Sequence, residues 1–133
     1  MARPTYFLTL EEVLLLHDYH LNKDGGMHGV RDKGLLESAL NMPQATFAGQ
    51  SLYADIFEMA AVYAHGIIKN HPFCDGNKRT GIMAALIFME ENGVKIKFSD
   101  KEFFDLAINI ATSKLSIEEI AHILKQHAKT KKS

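Results

Sequence analysis

Cysteine, proline and excess charge are all scarce in this chain, and each scarcity removes a class of protein. The single cysteine among 133 residues, Cys74, excludes an intrachain disulfide and any multi-thiolate metal site. It fits a reducing compartment, so the expected location is the cytoplasm. Three prolines and nine glycines are too few for a collagen-like or low-complexity chain. The 15 Lys and Arg residues are balanced by 16 Asp and Glu, for a net charge of -1. No basic field is left over to collect a phosphate backbone, so nucleic acid is not an expected partner. The start Met1-Ala2-Arg3-Pro4-Thr5 has no apolar signal core, and the apolar run around Ile82 is far shorter than the ~20 residues of a membrane span. Neither export nor membrane insertion is expected.

What is present is the composition of a globular protein, with 47% hydrophobic and 23% charged residues. A chain of this size buries roughly two-thirds of its surface on folding, enough for one core. The expectation is one domain spanning residues 1–133. Apolar residues recur at helical spacing almost throughout. Three Ser/Thr-x-x-Glu capping boxes mark helix starts: Thr9 with Glu12, Ser99 with Glu102, and Ser116 with Glu119. The pattern predicts an all-α protein of six helices, at about 10–22, 32–41, 52–70, 77–92, 100–113 and 117–129, with Asp32 and Ser51 as further caps. The third and fourth are apolar all round from Met59 to Ala64 and from Gly81 to Met89, which marks them as the buried central hairpin. Residues 43–50 lack periodicity and suit an exposed flap over a site. Lys129, Lys131 and Lys132 read as a frayed, solvated tail.

Between the two buried helices lies His71-Pro72-Phe73-Cys74-Asp75-Gly76-Asn77-Lys78-Arg79. A polar loop in that position needs a chemical reason. Free N–H groups of a helix start, a flexible glycine and two cations converge there, which makes an anion site. Asp75 stands where one carboxylate could share Mg²⁺ with nucleotide phosphates. Imidazole titrates near neutrality, so His71 is suited to take a proton from a hydroxyl nucleophile. The set points to phosphoryl or nucleotidyl transfer.

The same spacing, His71-x-Phe73-x-Asp75-Gly76-Asn77-Lys78-Arg79, resembles the signature of the Fic superfamily. Lys78 followed by Arg79-Thr80 is similar to its death-on-curing branch, Doc. The likeness extends through Leu16-His17-Asp18, Gly25-Gly26 with Gly29, Asp32 before Leu35, and Thr80 to Gly93-Val94. It implies the Fic fold, with His71 as general base, Asp75 on Mg²⁺, Gly76 and Asn77 in the phosphate cradle, Arg79 on phosphate and Phe73 anchoring the loop. Fic AMP-transferases carry Gly where Lys78 stands and a second Arg where Ile82 stands. These departures imply the Doc chemistry instead: ATP bound inverted, with Lys78 and Arg79 at the transferring γ-phosphate. The product implied is a phosphothreonine on elongation factor Tu, which stops translation. Pro72 and Gly76 look more like the AMP-transferase pattern and keep that activity as the alternative. A catalytically silent nucleotide- or protein-binding module is a further one.

The resemblance also implies a toxin of a type II toxin–antitoxin pair, monomeric apart from an antitoxin whose disordered tail folds on binding. Self-restrained Fic enzymes carry Ser/Thr-x-x-x-Glu-Gly/Asn, and no segment here fits: Glu91 precedes Asn92, but Ile87 stands four residues before it. Outside the motif the expectations are plain. His17 and His20, three apart on one helix, lack a third metal ligand and read as packing or surface residues. So do His28, His65, His122 and His127, while Cys74 occupies a variable motif position.

Overall fold

The computed structural model describes residues 4–129. Six helices dominate it: α1 (Leu10–Asp24), α2 (Lys33–Asn41), α3 (Ile56–Asn70), α4 (Asn77–Glu91), α5 (Asp100–Thr112) and α6 (Ile117–Gln126). Five of them begin where a side chain accepts from a backbone N–H that has no partner inside the helix. Thr9, Asp32, Asp55, Ser99 and Ser116 each accept from the N–H three residues on. At Thr9, Ser99 and Ser116 the Glu three residues later reaches back, completing the three capping boxes. The sixth, α4, starts at Gly76 with no side-chain cap.

Two helix boundaries differ from expectation by more than two residues. The third helix starts at Ile56, because Asp55 captures the Glu58 N–H at 2.9 Å. Ser51 instead turns its hydroxyl onto the Tyr53 backbone. The last helix ends at Gln126 rather than 129. There the His127 ring bonds the Ile123 carbonyl at 3.0 Å and the Glu102 carboxylate at 3.2 Å and packs at a tilt against Phe98. The Ile123 carbonyl first, and then Glu102, hold the His127 imidazole above its ordinary range. The chain then pairs in a sheet, so Lys129 belongs to a strand; Lys131 and Lys132 lie outside the described residues.

The strands are four two-residue pieces, too short to leave a periodic signal. β1 (Thr46–Phe47) pairs antiparallel with β2 (Gln50–Ser51), and β3 (Lys95–Ile96) with β4 (Ala128–Lys129). The first pair is a hairpin whose turn residues Ala48 and Gly49 both have positive φ, the geometry that matches strand twist in a tight hairpin. This is the expected flap segment, exposed at Phe47 and Leu52. No membrane-length apolar helix occurs among the described residues.

α3 and α4 form the central pair, flanked by α2 and α6 on the α3 side and by α1 and α5 on the α4 side. Tyr63, Ile67 and Ile68 of α3 and Ile82, Phe88 and Met89 of α4 are all but completely enclosed. The Tyr63 hydroxyl accepts the Leu8 N–H at 2.9 Å, and burial pushes its pKa to about 12. The pair approaches closely at Gly81, where an added Cβ would lie 2.7 Å from Ile68 Cγ1 and 3.2 Å from the Ala64 carbonyl oxygen. That approach sets the span the 71–76 loop has to bridge. Gly81→Val should therefore force the two helices apart and cost about 2 kcal/mol or more of unfolding free energy. Denaturant titration of the variant checks it, and an unchanged midpoint would refute the tight packing.

Candidate functional site

The loop begins with a residue in an unfavourable conformation. His71 closes α3 in the left-handed region at φ 54 and ψ 52, a state that costs energy for a residue with a Cβ. A brace from residues 29–32 holds it. The Arg31 Nε donates to the His71 carbonyl at 2.7 Å and its terminal nitrogen Nη2 to the Asn70 carbonyl at 2.9 Å. A cation placed there also faces the negative end of the α3 dipole. The Arg31 and Asp32 N–H groups donate to the Pro72 carbonyl at 2.7 and 3.0 Å, and the Cys74 N–H to the Gly29 carbonyl at 3.0 Å. Val30 and Phe73 complete the brace as an isolated β-bridge.

Phe73 pins the loop from inside. It is fully buried, with its ring stacked on His17 at 3.7 Å between centroids and 10° between planes. The His17 Nε2–H donates to the Asp75 carbonyl at 2.7 Å. Asn77 grips both backbone groups of Phe73: its Oδ1 accepts the N–H at 2.9 Å, and its Nδ2 donates to the carbonyl at 3.0 Å. That grip fixes which end of the amide is nitrogen. The same Nδ2 lies 3.1 Å from His71 Nδ1, so Nδ1 accepts and a neutral His71 carries its proton on Nε2. Asn77 is buried, its side chain is spent on Phe73 and His71, and it does not line the cavity described below.

Asp75 and Gly76 form the lip. The Asp75 carboxylate accepts the Met27 N–H at 3.2 Å on Oδ2 and the Gly76 N–H at 3.0 Å on Oδ1. These two bonds, Met27 first, hold its pKa below the ordinary carboxylate value, with the His17 and Lys78 charges adding to them. Gly76 sits at φ 79 with no room beside it: an added Cβ would lie 3.2 Å from Leu21 Cδ2. Beyond it, the first N–H groups of α4 have no intrahelical partner and no cap.

This open helix start faces a cavity of about 890 Å³ between α1, α4 and α5. Asp75, Gly76, Lys78 and Arg79 line it, with Lys23, His20 and the α5 aromatics Phe103 and Phe104. Arg79 points its Nε to Asp24 at 3.3 Å and holds its guanidinium 5.9 Å from the Phe103 ring centre. Asp75, Gly76, Lys78 and Arg79 are thus brought to one wall. His71 is exposed and stands outside that lining, as do the flap residues 43–50. His17, His20 and Arg31 were missed as parts of the site. The i, i+3 spacing of His17 and His20 put them on one face of α1, but nothing local says that face meets the motif loop. Arg31 carries no sequence signal at all, because its partners are backbone carbonyls 39 and 40 residues away.

A helical pair joined by a braced, anion-facing loop is the architecture of a Fic-type protein. The chain belongs to the Fic/DOC family, whose model matches residues 7–89. It is 35% identical over 116 residues to the protein kinase doc of Escherichia phage P1, covering 87% of this chain and 90% of that protein. It is 36% identical over 119 residues to the toxin Doc of Mycolicibacterium smegmatis, covering 88% and 89%.

The brace makes a testable demand of Arg31. Arg31→Ala leaves the Asn70 and His71 carbonyls without a charged donor and should lower unfolding free energy by about 1–3 kcal/mol. Hydrogen exchange at the Cys74 amide should accelerate with it. Unchanged exchange at Cys74 would mean that the backbone bonds of residues 29–32 hold the loop unaided.

Proposed function

We propose that the protein is a Doc-type toxin: an ATP-dependent protein kinase that moves the γ-phosphate to a threonine of a translation factor in the cytoplasm. Elongation factor Tu is the substrate that the family likeness implies. The observation that carries the reading is the start of α4. It alone among the described α-helices lacks a side-chain cap, and it opens beside Lys78 and Arg79 onto a cavity large enough for a nucleotide. Free N–H groups and two cations suit the charge that spreads over a transferring phosphoryl group. Lys78 adds a cation where AMP-transferases keep Gly, and buried Ile82 offers no second guanidinium. The names of the two relatives, a protein kinase and a toxin, agree with this reading.

The donor set fits Mg²⁺. Asp75 is exposed and held ionised, each oxygen spends one lone pair on a backbone N–H, and further lone pairs are left for a cation. Among the described residues there is no cluster of three or more His, Cys, Asp or Glu side chains. That suits an ion which takes one carboxylate and completes its shell with phosphate oxygens and water. When bound, Mg²⁺ would neutralise phosphate charge. The protein's own groups do the rest. Lys78, Arg79 and the α4 N–H groups hold the phosphates, and His71 meets the target hydroxyl from outside the cavity. The Asn77 amide is fixed, so the exposed His71 ring turns Nδ1 off it, and the target hydroxyl gives its proton to the freed lone pair. Its oxygen then bonds to the γ-phosphorus as the bridging P–O bond to ADP breaks.

Transfer from ATP labelled at either the α or the γ position tests the reading. Label on the target from γ is expected; label from α would establish an AMP-transferase, and none from either a silent binding module. His71→Ala should cut the transfer by about 10²–10⁴ while the protein stays folded.

Restraint is assigned to a second chain, an antitoxin whose disordered tail folds on the toxin, because no segment of these 133 residues matches the Fic inhibitory pattern. The toxin is otherwise monomeric in this reading. Expression of the chain alone should arrest bacterial growth, and co-expression of the adjacent small reading frame should restore it. Harmless expression of active, folded protein would overturn the dependence.

A further inference from the structure

His20 of α1 is 8% exposed, and both its ring nitrogens are buried without a hydrogen-bond partner. The Thr80 hydroxyl is the other such group among the described residues, and Thr80 does not line the cavity. His20 does, from α1, and so do Arg79 and Lys78 from α4. A buried polar atom without a partner is costly, and a native protein that keeps two in one ring calls for a reason. Tyr19 meets the ring edge-on, 5.5 Å between centroids, and offers it no hydrogen bond. Burial first, then the Arg79 charge, hold the imidazole below its ordinary range. The ring is therefore neutral near pH 7, with one N–H to donate and one lone pair to accept.

That pair of functions does not suit phosphate, which has oxygens to accept with and a charge that favours a cation. It does suit a ribose hydroxyl or the edge of a base, each of which mixes donors and acceptors. The rest of the lining includes the apolar and aromatic side chains of Met83, one turn beyond Arg79 on α4, and Phe103 and Phe104 of α5, surfaces on which a base can stack. Going along α4 from the open start to Met83, the cavity changes from phosphate-like to nucleoside-like chemistry.

We propose that His20 is the group that reads the nucleoside half of the bound nucleotide. Its free ring nitrogens hydrogen-bond the ribose or the base, while the triphosphate runs back to Lys78, Arg79 and the start of α4. The inference rests on the nucleotide reading above, which already puts the terminal phosphate at the cradle, and adds to it a place for the nucleoside, between α1 and α5. The nitrogens are closed off when the cavity is empty, so the exposed neighbours Tyr19 and Arg79 must shift to admit the ligand. Arg79 has a reason to do so, since its present partner Asp24 is a half-exposed carboxylate that phosphate can replace.

The test compares the wild type with His20→Phe, which keeps a flat ring and removes both nitrogens, and with His20→Gln, which restores a donor and an acceptor. The probes are Mg-ATP and inorganic triphosphate, read by calorimetry. His20→Phe should bind ATP roughly 5- to 20-fold more weakly, the loss of one or two hydrogen bonds. It should bind triphosphate as the wild type does and melt at a higher temperature without ligand. His20→Gln should regain most of the ATP affinity. Equal ATP affinity in wild type and His20→Phe overturns the proposal, and so does a matching loss for triphosphate, which would put phosphate at His20. If the wild type binds neither probe, the nucleotide reading itself fails and this inference with it. Should His20→Phe not fold, the imidazole ¹⁵N resonances of His20 in the wild type decide: they should move with ATP and stay still with triphosphate, and no movement with ATP overturns the assignment.

Discussion

Phe73 gives both of its backbone groups to one amide, that of Asn77, and its ring to the stack with His17. Because Oδ1 must accept from the Phe73 N–H, the amide cannot turn over, and its nitrogen is left facing His71 Nδ1. One side chain thereby closes the loop, starts α4 and selects the tautomer of the histidine. The geometry holds only while Phe73 stays in the core. The close packing of α3 on α4 at Gly81 fixes where the core ends and the loop begins. The chemistry of the site is hung on a hydrophobic anchor.

The rest of the structure treats this loop differently from every other helix junction. Five α-helices satisfy their first N–H groups with Ser, Thr or Asp. α4 has a glycine in that place, and the nearby carboxylate of Asp75 turns to the N–H groups of Gly76 and Met27 instead. The free energy a cap supplies is forgone at one helix, and the donors it would have occupied point at a cavity. His71 is held in a left-handed conformation at the opposite end of the same loop, with Arg31 on its carbonyl. Strain, open donors and a buried imidazole without partners gather within one short stretch of the fold. Stability is given up there and recovered in the α3–α4 core.

Two sides of the loop face different surroundings. The Asp75–Arg79 side looks into the cavity bounded by α1 and α5, and His71 looks outward. The hairpin of β1 and β2, anticipated as a flap over a site, contributes nothing to the cavity wall. Its Phe47 and Leu52 are exposed and do not line the cavity.

The local features could be read in advance because their physics is local. A hydroxyl three residues before Glu caps a helix wherever it occurs, so Thr9, Ser99 and Ser116 announced three starts; runs without charge marked α3 and α4 as buried. Of the two ends that were misplaced, the start of α3 turned on a local competitor, the Asp55 cap three residues before Glu58, and the end of α6 on a contact no short window holds, the bond from His127 to Glu102, 25 residues apart. The motif His71 to Arg79 was legible as a unit, since loop and helix start are contiguous. What holds it was not. Arg31 binds carbonyls, which every residue possesses, and His17 and His20 acquire their roles only when α1 is laid beside α4. The sequence by itself determined the helices, the buried hairpin and the reactive loop, because neighbours in the chain suffice to form them. Only the tertiary structure decided which way the histidines face, which carbonyls are held and where the cavity opens, because those depend on surfaces that meet after the chain has folded.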